Sequence, residues 1–313
     1  MRRLKKAYLE ITNMCNLDCQ FCPGTRRTKG VLSPEGFQTL GERLRPHTDY
    51  LYLHLMGEPL LHPHLAEILE RAEKLKFRVM ITTNGTLLGE REDLLCSSPA
   101  VEKVSISLHS FEGNEGVGTL EDYLAGCLAF ARRSAGAGKK CALRLWNLDG
   151  EDTRGANARN GDILAALERD FPRPWREGRR GTTLAPGVFL EWGEKFDWPD
   201  LGTPEGDGAG FCYGLRDQVG VLWDGTVVPC CLDHEGDISL GNLYDQPLEE
   251  ILSSPRAQAI YQGFSQGRVR EALCRRCGFM RRFRWGGRIS TEQKDRLRWK
   301  HGHEQEKRTD GGI

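Results

Sequence analysis

The chain has 313 residues, 39% of them apolar, with 44 basic and 44 acidic side chains and eleven cysteines. Zero formal charge gives no bulk attraction to nucleic acid or an anionic surface, and no run approaches the roughly eighteen consecutive apolar residues of a membrane span. Met1-Arg2-Arg3-Leu4-Lys5-Lys6 leads into a mixed polar strand, not a signal-peptide apolar region, so the sequence predicts a soluble, cytoplasmic protein with reduced thiols, and its length predicts one large domain or one domain with an appendage.

Short apolar runs at Ala7 to Ile11, Tyr50 to Met56, Arg78 to Thr82, Lys103 to Leu108, Cys141 to Trp146 and Val188 to Trp192 read as six strands. Between them, Ser33-Pro34-Glu35 reads as a helix N-cap with proline at the first helical position. Pro63 to Leu75, Thr119 to Arg133 and Asp162 to Asp170 have helical apolar spacing. The alternation predicts an α/β fold with a parallel sheet and crossover helices, in which ligand-handling side chains gather at the carboxyl ends of the strands.

The first run ends at a loop that places Cys15, Cys19 and Cys22 in a C-x3-C-x2-C spacing. Thiolates suit zinc or iron-sulfur clusters. A structural zinc site needs four ligands, yet the next cysteine is Cys96 and no histidine lies within twenty residues of the loop. That leaves a cluster with three irons held and one open.

With Phe21 before the third cysteine, this loop resembles that of the radical S-adenosylmethionine (SAM) family. Met56-Gly57-Glu58-Pro59 resembles the family's GGEP-type segment with Met56 in place of the first glycine, Thr83-Asn84-Gly85 ends the third run, and Ser105-Ile106-Ser107-Leu108 resembles the fourth-strand segment. The resemblance implies a partial (β/α)6 TIM-type barrel. It further implies a 4Fe-4S cluster on Cys15, Cys19 and Cys22 whose open iron takes the amino and carboxylate groups of SAM. Gly57 and Glu58 would meet the methionine ammonium, Ser107 the ribose, and Arg144 the carboxylate through a bidentate fork. Asn84 is either a cofactor contact or an ordinary turn residue.

Residues 1–195 form the expected core, and 196–211, rich in Gly, Pro and Asp, read as a linker. An appendage at 212–280 carries Cys212, Cys230, Cys274 and Cys277 in a C-x17-C-x43-C-x2-C arrangement. Asp224-Gly225 between Gln218 to Trp223 and Thr226 to Val228 signals a hairpin, and Pro247 to Phe264 reads as helical. Four thiols can close a zinc shell. Beside a radical SAM core, the Gly225-x4-Cys230 segment is similar to the SPASM/twitch appendage, which implies an auxiliary 4Fe-4S cluster; no cysteine follows Cys277, which matches the single-cluster type.

Cys96, Cys127 and Cys141 lie in helical or strand runs and read as small buried hydrophobes. Cys231 is expected to point away from Cys230, as packing, an alternative ligand or a hydrogen-atom donor. His54, His62, His64 and His109 near strand ends are expected in supporting roles. The basic tail at 281–313, where Trp285 and Trp299 interleave with charges, reads as a solvated segment; nucleic-acid binding is not expected of it.

The expected activity is reductive cleavage of SAM to a 5′-deoxyadenosyl radical that abstracts hydrogen from substrate, with net oxidation of a small molecule such as an amino-sugar or cyclitol. Epimerisation and peptide modification are alternatives within the class, and a non-catalytic iron-sulfur sensor or electron carrier is the alternative outside it. An electron donor such as flavodoxin or ferredoxin is implied.

Overall fold

The computed structural model of the chain describes residues 3–112, 118–148, 158–178 and 181–283. In order it forms β1 (Lys6–Leu9), α1 (Pro34–Leu44), β2 (Tyr50–Tyr52), α2 (Leu65–Lys74), β3 (Arg78–Thr83), α3 (Leu88–Ser97), β4 (Val101–Ser107), α4 (Leu120–Gly136), β5 (Lys140–Leu148) and α5 (Asn160–Asp170). It continues with β6 (Arg176–Gly178), β7 (Gly181–Ala185), β8 (Val188–Glu194), β9 (Gln218–Val221), β10 (Thr226–Val228), β11 (Gly241–Asn242), α6 (Leu248–Ser253), α7 (Pro255–Ser265) and α8 (Ala272–Arg275). Strands β1, β2, β3, β4, β5 and β8 pair side by side, all parallel as the six apolar runs predict, in the open partial barrel that the family resemblance implies.

Alternation along these strands divides the sheet into two faces. Ala7, Leu9, Leu51, Leu53, Val79, Ile81, Val104, Ile106, Leu143 and Leu190 are buried in the core that also holds the helices. Burying each large aliphatic side chain contributes about 1.5–3 kcal/mol. A one-residue slip would exchange this set for Lys6, Tyr8, Tyr52, Lys103 and Arg144 on the inner face, so the register is strongly specified.

Local signals place the helices. Ser33 Oγ accepts from Gly36 N at 3.0 Å with Pro34 at the first helical position of α1, and Thr119 Oγ1 accepts from Asp122 N at 3.1 Å at the start of α4. Cys127 and Cys141 are fully buried in the core as small hydrophobes, and burial pushes the Cys127 thiol up to about 12.

Several expectations are corrected. The second run stops being a strand at Tyr52, because the chain then bends toward the cysteine loop, where Met56 N donates to Glu10 at 3.3 Å. Pro247 to Phe264 is two helices, not one: Ser254 ends α6 and caps α7, whose first residue Pro255 has no N–H to continue the earlier ladder. The segment read as a linker is tied down, with Gly206 N bonding Arg275 O at 3.0 Å and Val269 N bonding Gly208 O at 2.7 Å. The hairpin β9–β10 forms as predicted, but β9 pairs in parallel with β1, so the appendage extends the barrel sheet. Strands β6 and β7, which the sequence reading passed over, add an antiparallel edge to β8.

Phe279 packs on Phe196 at 5.0 Å between ring centroids, while residues 284–313, with Trp285 and Trp299, lie outside the described residues. Among the described residues no helix is long and apolar enough to cross a membrane.

Candidate active site and cluster sites

The loop after β1 carries Cys15, Cys19 and Cys22 at the carboxyl end of the parallel strands. Cys15 is exposed and the other two are half-buried. Cys22 N bonds Cys19 O at 2.9 Å, closing the turn that gathers the second and third thiols. Asn13 holds the loop's return by accepting from Gly30 N at 2.9 Å and donating to Thr28 O at 2.9 Å. Burial pushes the thiols of Cys15 and Cys22 up, so these sulfurs ionise readily only when a cationic group is held between them.

The neighbouring motifs brace this loop. Gly57 has φ +75°, and a Cβ there would sit 2.6 Å from Thr12 O and 2.7 Å from Met14 O, so the glycine is required by the close approach of the loop's own backbone. Glu58 is 2% exposed, and its carboxylate accepts from Leu60 N at 3.0 Å and Asn84 N at 2.7 Å. It therefore joins the loops after β2 and β3, and burial pushes its carboxyl up to about 7. Asn84 is more than a turn residue: its Nδ2 donates to Asn16 Oδ1 at 2.9 Å and approaches Cys15 Sγ at 3.9 Å. Phe21 is 40% exposed and lies 4.8 Å from the His109 ring, a partner that sequence reasoning missed. His62 and His64 bond Leu32 O and Glu67, in the supporting roles expected of them.

Ser107 and Arg144 are register partners on β4 and β5. Arg144 donates to Glu191 at 3.0 Å and Thr82 at 3.1 Å and stacks on Trp146, so its fork already meets a carboxylate of the chain itself.

Also missed was the buried pair that fastens this loop to the sheet. Glu10 is fully buried and receives Arg27 through two bonds of 2.6 and 2.9 Å, while Arg27 Nε donates to His234 O in the appendage at 2.7 Å. Replacing Arg27 with Met leaves Glu10 buried and unpaired, which is expected to cost about 3–5 kcal/mol in denaturant unfolding. A Glu10→Met/Arg27→Met double variant should recover much of that loss; a single-variant loss under about 1 kcal/mol would show the pair to be dispensable.

In the appendage, Cys230, Cys274 and Cys277 line one cavity with Pro199, Pro229, Leu232, Asp233, Ile238 and Leu273. Cys212 stands close enough to interact electrostatically with Cys277, and Gly214 N donates to its sulfur at 3.4 Å. Burial, then the neighbouring thiols, push Cys230 and Cys274 well above the ordinary range and Cys212 up to about 11. Glu205 clamps Arg275 and Arg276 at 2.9 and 2.7 Å, holding the short segment between Cys274 and Cys277. Gly225, at φ +88°, makes the hairpin turn that delivers Cys230.

Among the described residues, no three His, Cys, Asp or Glu side chains are gathered closely enough for a single metal ion. Three thiols around one cavity with Cys212 beside them are a donor set that suits an iron-sulfur cluster. Cys231 turns the other way, as expected, and packs with Tyr8, Leu55, Leu222 and Val228 against the inner face of the barrel.

Residues 9–152 match the sequence model of the radical SAM superfamily, and residues 212–278 match that of the SPASM iron-sulfur cluster-binding domain. Among curated relatives, a tungsten-containing aldehyde ferredoxin oxidoreductase cofactor-modifying protein of Pyrococcus furiosus is 30% identical over 130 residues, covering 40% of this chain and 36% of that protein. A GTP 3′,8-cyclase of Aquifex aeolicus is 33% identical over 125 residues, covering 35% and 36%. The chain thus spans about a third of the length of these relatives. Of solved structures, BtrN in complex with AdoMet and 2-DOIA superposes with a TM-score of 0.53 at 17% identity over 88% of this chain and 94% of that one. Streptococcus suis SuiB bound to S-adenosylmethionine gives 0.58 at 15% over 89% and 71%. These likenesses show the fold.

Proposed function

We propose, for a chain that belongs to the radical SAM superfamily and carries a C-terminal SPASM iron-sulfur domain, that the inner face of the partial barrel is a chamber in which a small molecule is oxidised by two electrons. When bound, the cluster on Cys15, Cys19 and Cys22 with SAM supplies a 5′-deoxyadenosyl radical that takes a hydrogen atom from substrate, and the auxiliary 4Fe-4S cluster supplies an acceptor for one electron. A cytoplasmic flavodoxin or ferredoxin completes the reading as electron donor.

The observation that carries it is the divergence of two adjacent residues. Cys230 lines the auxiliary cavity while Cys231 packs against Tyr8 on the chamber side, so a single turn of backbone separates the proposed acceptor from the substrate. On this reading Ser107 and Arg144 face SAM from β4 and β5. Since the Glu58 carboxylate is committed to Leu60 and Asn84, the SAM amino group falls to the backbone of Gly57 and Glu58. Asn84, by its approach to Cys15, steadies a cluster ligand.

The same Cys231 favours one second reading, epimerisation. Its S–H would give a hydrogen atom to the substrate radical, and one electron from the external donor with one proton would restore the thiol. Mass spectrometry in deuterated water separates the two. Oxidation yields a product two hydrogens lighter and survives Cys231→Ala, whereas a product of unchanged composition that carries one solvent deuterium and vanishes in Cys231→Ala would replace oxidation by epimerisation.

A further inference from the structure

The charges of this chamber do not balance. Among the described residues, its inner face presents Lys6 on β1, Lys103 on β4 and Arg144 on β5 against Glu191 on β8, while Glu10, just past β1 on the same face, is taken by Arg27. Glu191 is shared, because both Lys103 and Arg144 bond it. Lys6 stands apart. Its ammonium donates to the Tyr8 hydroxyl at 2.7 Å and lies 4.9 and 5.0 Å from the Tyr8 and Tyr52 ring centroids. The carboxylate on that side, Asp217, is paired with Lys5 at 2.5 Å.

Against the same two rings lies His54, 5.5 and 5.8 Å away, and its Nδ1 is buried without a hydrogen-bond partner. Burial, then the charges of Arg144 and Lys6, pushes His54 down to about 3, so the ring is neutral and can present Nδ1–H. Two more buried donors lack partners around Trp146: its own Nε1, under the Arg144 guanidinium, and Arg282 Nη2. Buried donors without acceptors are costly, and a ligand rich in acceptors and negative charge would satisfy them.

We propose that the substrate is an anion whose carboxylate or phosphate group is held by Lys6, Tyr8 and His54, on the inner face of β1 and the segment that follows β2. The inference rests on the chamber being the substrate site. An amino-sugar would instead bring a like charge among three cations, so within the small molecules expected from the sequence, a hydroxy acid or sugar phosphate fits this face and a cationic amino-sugar does not.

The test uses the reconstituted full chain with saturating SAM, so that the carboxylate of SAM is already in place. Thermal unfolding is titrated with inorganic phosphate and, separately, with acetate, against chloride at equal ionic strength. Phosphate or acetate should raise the midpoint beyond chloride, and the stronger of the two identifies the anion class. Lys6→Met should weaken that response about tenfold or more, Lys6→Arg should retain it, and Lys74→Met, on the exposed side of α2, should leave it unchanged. No response beyond chloride in the wild type, or a wild-type response in a folded Lys6→Met, overturns the proposal. Formation of 5′-deoxyadenosine in the same samples is scored separately: its loss with anion binding intact would count against the catalytic reading and not against the anion site.

Discussion

Replacing Cys15, Cys19 and Cys22 together by alanine is expected to lower the iron of the reconstituted chain from about eight to about four per molecule and to abolish 5′-deoxyadenosine formation. The three thiols sit on one loop, whereas Cys230, Cys274 and Cys277 line a pocket in the appendage. Loss of one set should therefore leave the other loaded. The loop itself should persist, because Asn13, Glu58 and Arg27 hold it through bonds that do not involve sulfur. Iron falling to zero in a chain with unchanged circular dichroism would mean that the two sites are not independent.

Replacing Cys274 and Cys277 by alanine is expected to stop product formation while cleavage of SAM continues uncoupled. On the proposed reading, Cys212, Cys230, Cys274 and Cys277 would close the auxiliary site and leave no iron open to SAM, so its contribution would come after hydrogen abstraction. Cluster binding also contributes folding energy, and here the segment is anchored independently by Glu205 on Arg275 and Arg276 and by Glu271 on Arg256 at 2.9 Å. Circular dichroism and residual iron of about four per chain establish that the variant tested is folded. Full product turnover in such a sample would make the cluster structural and remove the electron-acceptor role.

Much of the fold was legible because each of the six apolar runs overlaps a strand of the sheet, although the second ends at Tyr52. The cysteine spacings stood out as well, since thiols gathered on one loop or beside a hairpin turn make a recognisable pattern. Pairings between distant segments were not. Nothing local to Glu10 signals Arg27, and nothing in Gln218–Val221 says that it will join β1 in parallel; both depend on tertiary closure. The inner face did leave a trace, in Lys6-Ala7-Tyr8-Leu9-Glu10-Ile11, where every second residue is polar in a strand otherwise buried. Reading that alternation as a lined chamber would have found Lys6 and Tyr8. Glu58 was assigned from its motif to a ligand, whereas its two oxygens join backbone amides of neighbouring loops, a use that burial at 2% exposure makes necessary.

The central claim is that this chain cleaves SAM reductively at the loop cluster, and quantifying 5′-deoxyadenosine and methionine after strong reduction of the anaerobically reconstituted wild type tests it most directly. The account predicts both products in equal amounts, absent from the Cys15/Cys19/Cys22 alanine variant. A fully loaded, folded wild-type chain that binds SAM and forms no 5′-deoxyadenosine would contradict it and favour a non-catalytic iron-sulfur sensor or electron carrier.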